Sequence, residues 1–164
     1  MSITRRGAVT CRATIDLPLS ATSVWGQLRD FNRYARQDFF HAEVVIEGGL
    51  PRVGAHLTLS HRYAGVKVSR VGKILVWCEG VGYTFSDLSP RGPRAGFPHA
   101  FGYRVEPLGR AECRVVISVR GLWTASFIPR WAARLWLRWV FGHVVRTVHN
   151  DLLLFQLWRQ HQRI

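Results

Sequence analysis

The chain has 164 residues, 48% of them hydrophobic and 20% charged, a composition that excludes a disordered chain and fits one domain spanning 1–164 with a proper core. Polar residues interrupt every apolar run, so no signal peptide or membrane-spanning helix is predicted and a cytoplasmic address is the expectation. The net charge of +13 comes almost wholly from arginine, Lys67 and Lys73 being the only lysines, and a field of that sign attracts anions: acidic lipid, nucleic acid or a carboxylated ligand.

Residues 8–17 mix Val, Thr and Ile with polar neighbours and predict a first strand, which Pro18 stops. Ser20 or Thr22 can cap a short helix through Val24, Trp25 and Leu28, and a second short helix is predicted over 31–36. From about residue 41 the pattern changes to period two. Strands are predicted at 42–47, 55–63, 66–79 (one bent strand or two), 83–88, 100–106 and 113–120, with turn residues between them. The last two are joined by Pro107-Leu-Gly-Arg, a hairpin signal. In the last strand Cys113, Val115, Ile117 and Val119 share one face, while Arg114, Ser118 and Arg120 share the other. A sheet with one dry face needs a cover. A helix predicted over 129–160, interrupted only by Gly142, supplies it with a stripe of Leu137, Val140, Phe141, Val144, Val148, Leu152 and Phe155.

Cys11, Cys78 and Cys113 are odd in number, far apart and set among apolar neighbours, the pattern of buried free thiols. No CxxC or clustered Cys/His pair predicts a metal, and no motif implies a cofactor.

Several local patterns resemble the START-like superfamily with its Bet v 1 type helix-grip fold, also called SRPBCC or polyketide cyclase-like. They are Leu17-Pro-Leu-Ser-Ala-Thr-Ser-Val-Trp25 with Leu28-Arg-Asp30, then Pro51-Arg-Val-Gly-Ala55, then Phe97-Pro-His-Ala-Phe-Gly-Tyr-Arg-Val-Glu-Pro107 followed by residues 115–121. The resemblance spans nearly the whole chain. It implies an α+β helix-grip fold: a curved antiparallel sheet wrapped around a long C-terminal helix, with two short helices after the first strand. It also implies a cavity between sheet and helix for a hydrophobic small molecule or lipid. Each motif is scaffold, so the resemblance speaks to fold more than to chemistry.

If odd positions face inward, His61 and Tyr63, then Tyr83, Phe85 and Asp87, then His99, Phe101, Tyr103 and Val105 form the inner wall. Tyr63, Tyr83, Phe85, Phe101 and Tyr103, with Leu137, Val140 and Val144 from the helix, are the expected ligand-binding residues. An aromatase or cyclase of this fold can use His99 as general base, with Tyr103 orienting a carbonyl oxygen. The competing reading makes His99 a hydrogen-bonded structural residue. His61 and His56 fall on opposite strand faces, and neither has an obvious carboxylate partner. Trp131, Leu135 and Trp139, flanked by Arg134 and Arg138, fall on the helix side away from the core. Loop cover over 90–98, a roof on the cavity, a second copy of the chain and an anionic membrane all compete for that face. Nucleic acid is not expected, because the basic residues are scattered and no recognition motif is present.

Overall fold

Period-two alternation becomes strand and a repeat of three to four becomes helix, in the predicted order. The computed structural model describes residues 2–3, 7–35, 41–63, 66–89, 91, 97–124 and 128–161. The elements are β1 (Ser2–Ile3), β2 (Ala8–Leu17), α1 (Ala21–Leu28), α2 (Phe31–Ala35), β3 (His41–Ile46), β4 (His56–Tyr63), β5 (Val66–Cys78), β6 (Gly82–Asp87), β7 (His99–Pro107), β8 (Cys113–Leu122) and α3 (Arg130–His161). The predicted turn at 64–65 and the predicted helix end at residue 36 lie outside the described residues.

The described strands form one sheet in the order β1-β2-β8-β7-β6-β5-β4-β3. All neighbours pair antiparallel. Only the β2–β8 contact is non-sequential beyond the β1 edge, so the first strand closes onto the last and the two short helices are carried across one end. The β7–β8 turn is tied by Leu108 N–H donating to the Glu112 carbonyl at 3.0 Å. Ser20, rather than Thr22, caps α1: its hydroxyl oxygen accepts from Ser23 N–H at 3.2 Å. Asp30 does the same for α2, accepting from Arg33 N–H at 3.2 Å.

β5 is one strand, and its register slips between Ile74 and Val76. Such a bulge bends a strand and inverts its phase. Ile74 stands opposite Phe85 on the inner face, yet three residues on Trp77 stands opposite Tyr83 on that same face. Cys78 is thereby turned outward and is exposed, correcting the expectation of three buried thiols; Cys11 and Cys113 are buried. Burial pushes both of those thiols up from the ordinary cysteine value, so they stay protonated at neutral pH.

α3 covers the dry face with Leu137, Val140, Val144, Val148 and Leu152, all buried. Its second half is fastened to α2 by the Arg33–Asp151 ion pair and by the Arg33 guanidinium 6.0 Å from the Phe155 ring centre. The helix runs unbroken through Gly142, where an added Cβ would meet only Arg146 Nη1, at 3.8 Å. Close packing at that glycine is therefore not the reason it is there.

Candidate ligand-binding site

The inner face of the sheet has two different ends. Near α1 and α2 it is mostly aromatic. Trp77 stacks on Tyr83 with ring centres 5.3 Å apart, Phe31 meets Tyr83 at 5.2 Å and Phe85 at 5.1 Å, and Tyr103 meets Tyr83 at 5.5 Å. Trp25 stands edge-on to Trp77 at 5.6 Å, and its indole N–H donates to Glu79 Oε1 at 2.8 Å. Tyr83 and Phe85 are each 1% exposed and Tyr103 2%, so at this end the predicted wall residues pack on one another.

The other end is polar. Pairing sets Asp87 of β6 opposite His99 of β7, while Arg70 of β5 lies two pairs away from His61 of β4 and so on the same face. Asp87 is the hub of these four strands. Its Oδ2 lies 2.9 Å from His61 Nε2, and its Oδ1 accepts from Arg70 Nε. Arg70 Nη2 also donates to the backbone carbonyls of Asp87, at 3.3 Å, and Phe97, at 3.2 Å. A buried carboxylate costs several kcal/mol of lost solvation unless it is paired, and this one is paired with a guanidinium that is itself oriented by two carbonyls. No carboxylate partner for His61 was obvious along the sequence; the structure supplies Asp87. His61 Nε2 donates to that carboxylate.

His99 stands at the rim of this cluster. Its Nδ1 lies 2.9 Å from the Phe97 carbonyl and so carries a proton, leaving the neutral ring's lone pair on Nε2. Nε2 is 3.9 Å from Asp87 Oδ2, beyond hydrogen-bond range. The Phe97 ring stacks on His99 at 4.8 Å, meets Trp123 at 5.9 Å, and Trp123 meets Trp136 of α3 at 6.0 Å. A run of rings thus roofs the polar end from the helix to the histidine. Gly121 makes room for it: a Cβ there would lie 2.7 Å from His99 Cβ and 2.9 Å from Phe97 Cε2.

The polar end of the inner wall is not fully closed, and neither is the aromatic end at Trp77. The side chains of His99 and Arg70 are 14% and 12% exposed, against the 1–2% of Tyr83, Phe85 and Tyr103, and Phe101, Val119 and Val140 keep a trace of their surface. Among the predicted site residues, Phe101, Leu137 and Val140 border the polar end; Tyr83, Phe85, Tyr103 and Val144 lie deeper. Tyr63 ends β4, and its side chain lies outside the described residues. His99 and Tyr103 share a face with Phe101 between them, about 13 Å apart along the strand. Trp131, Leu135, Arg138 and Trp139 stand on the opposite side of α3, exposed to solvent. Arg70, Phe97 and Gly121 were not singled out from the sequence. No group of three or more metal-ligating side chains is found among the described residues.

No family model and no curated protein sequence matches the chain. Solved structures do. The di-domain aromatase/cyclase StfQ of the steffimycin pathway superposes with a TM-score of 0.72 at 12% identity, over 96% of this chain and 54% of that one. A START superfamily protein from Mycobacterium smegmatis gives 0.67 at 13% identity, covering 89% and 98%. The chain has the START-like helix-grip fold. An aromatase/cyclase from Streptomyces sp. R1128 shares that fold with a TM-score of 0.63 at 17% identity, over 89% of this chain and 92% of that one. At such identities the likeness is one of fold, and within this helix-grip frame the Asp87 cluster is known from this chain's own side chains.

Proposed function

We propose that the chain binds a largely apolar small molecule in the grip between sheet and α3, with the ligand's polar atom against His99. The observation that carries this reading is the coincidence of the two features above. The wall stays partly open at His99 and Arg70, beside the buried polar cluster, while Tyr83, Phe85 and Tyr103 form a closed aromatic stretch next to it. Pockets for small ligands combine such a wall with a few fixed polar groups. In this reading His61, Asp87 and Arg70 hold the polar end rigid, and His99 meets the ligand. Phe101, Leu137 and Val140 line the near part of the grip, while Tyr83, Phe85, Tyr103 and Val144, with Tyr63, form the part that a longer ligand reaches by parting the rings. Fold neighbours lend support: one norcoclaurine synthase structure holds dopamine and hydroxybenzaldehyde, both small aromatic molecules.

The test is native mass spectrometry of the purified chain, with extraction of whatever accompanies it, and then titration of wild type and Phe101→Asp. A stoichiometric apolar passenger whose binding Phe101→Asp abolishes supports the proposal. A chain that stays empty against lipid, sterol and polycyclic aromatic panels overturns it.

An enzymatic reading has one observation in its favour, the Nε2 lone pair that the Phe97 carbonyl imposes on His99. In a cyclase or dehydratase of the polyketide type that nitrogen removes a proton and Tyr103 orients a carbonyl oxygen. The roughly 13 Å between them requires an extended, multi-ring substrate. His99→Ala then stops turnover and leaves affinity nearly intact; equal turnover in the variant removes the reading.

A further inference from the structure

On its outer side α3 presents a second surface that the grip does not use. Trp131, Leu135 and Trp139 follow one another at four-residue spacing and are 68%, 62% and 57% exposed. Large apolar side chains grouped like this on a helix face mark a contact with something other than water. Beside them runs an open groove between α3 and β2, lined by Arg12, Arg138 and Arg146 together with Leu135 and Trp139. It continues into a hollow lined by Trp131, Arg134, Leu135 and Arg138. No carboxylate lines either one. The single acidic residue of α3, Asp151, is engaged by Arg33 of α2. Among the described residues, Arg12, Arg138 and Arg146 have no ion-pair partner.

We infer that this face docks on an anionic phospholipid bilayer, with Trp131, Leu135 and Trp139 entering the headgroup layer and Arg12, Arg138 and Arg146 meeting lipid phosphates. Tryptophan suits that layer because its ring is apolar and its N–H is wet, and arginine keeps its charge at the surface while its stem covers apolar area. Charge decides among the occupants. A symmetric second copy would set this same patch against itself, arginines facing arginines, on a molecule that already carries +13. A nucleic-acid backbone matches the arginines but leaves two tryptophans and a leucine without an apolar partner. An anionic bilayer satisfies both kinds of side chain. No helix among the described residues is long and apolar enough to cross a membrane, so the contact is one of the surface.

The experiment is co-sedimentation of the full chain with vesicles of phosphatidylcholine alone and of equal parts phosphatidylcholine and phosphatidylglycerol, with tryptophan fluorescence recorded in parallel. The expected result is binding to the anionic vesicles with a blue shift, and little to the neutral ones. Arg138→Ala with Arg146→Ala should weaken that binding roughly 30-fold. Trp131→Ser with Trp139→Ser should remove the blue shift. All four side chains are solvent-facing, and circular dichroism checks that each variant keeps its fold. Equal binding to both vesicle types, or variants that bind as wild type does, overturns the inference. So does a dimer that Trp131→Ser dissolves, or binding to duplex DNA in place of vesicles.

Discussion

Asp87 shows how one buried charge organises a site. Its carboxylate is taken from water and returned to a guanidinium, an imidazole N–H and, at longer range, a second imidazole. Asp87→Asn keeps the shape and removes the charge, leaving Arg70 mostly buried and uncompensated; breaking such a pair costs about 3 kcal/mol. Urea denaturation should register that loss, and an unchanged midpoint would mean that the cluster is solvated in solution. Gln27 is the opposite case. Both polar atoms of its side chain are buried without a hydrogen-bond partner among the described residues, and such a group weakens the fold by its lost hydration. Gln27→Met keeps the length and removes the polar atoms, so the same measurement should show a gain of about 1 kcal/mol. Neither residue's role was equally legible. The common inward phase of His61, Asp87 and His99 followed from period-two alternation, whereas Arg70 needed the register between strands 17 residues apart. The partnerlessness of Gln27 is a property of its neighbours in space, which no pattern along the chain encodes.

At the scale of elements, strand and helix order was legible because alternation in β8 is broken only at Val116 between Cys113 and Arg120, and the apolar stripe of α3 keeps its phase over five positions from Leu137 to Leu152. The aromatic end was legible in part: Tyr83, Phe85 and Tyr103 are inward as the alternation requires, but their mutual packing depends on Phe31, Trp25 and Trp77 arriving from elsewhere. What the alternation concealed is the β5 bulge, since a local change of phase looks in one sequence like the end of a strand. Two glycines separate packing from propensity. Gly121 faces His99 across the β7–β8 ladder with no room for a methyl, the Pro98 carbonyl also lying 2.7 Å from the position of a Cβ. Gly121→Ala should cost about 2 kcal/mol in overpacking and move the His99 ring, seen as lost stability and as a shifted imidazole NMR signal. Gly142 has open space around it, so Gly142→Ala should stabilise α3 by about 1 kcal/mol and leave ligand binding unchanged. Thermal melts of the two variants should move in opposite directions; movement in one direction would mean that α3 needs flexibility there or that β7 yields easily.

For the whole molecule, the charge of +13 acts on folding and on docking with opposite consequences for salt. With 23 Lys and Arg against 10 Asp and Glu, cations outnumber carboxylates more than two to one, and the folded state compresses that net repulsion. Surface pairs such as Arg114–Asp16, where the guanidinium hydrogen bonds hold the carboxyl below the usual carboxylate range, work the other way but are few and exposed. Screening therefore removes more repulsion than attraction. Raising salt from a few millimolar to physiological strength, which shortens the Debye length to about 8 Å, should raise the melting temperature by about 3 °C, equivalent to roughly 1 kcal/mol for a chain of this size. The same addition should loosen the chain from anionic vesicles, because the attraction of Arg12, Arg138 and Arg146 for phosphate is screened along with the repulsion. The two dependences separate electrostatic docking from salt-driven association. If binding to vesicles strengthened with salt as the melting temperature rose, Trp131, Leu135 and Trp139 would be acting as a simple hydrophobic patch, and the arginines beside them would have no part in choosing the surface.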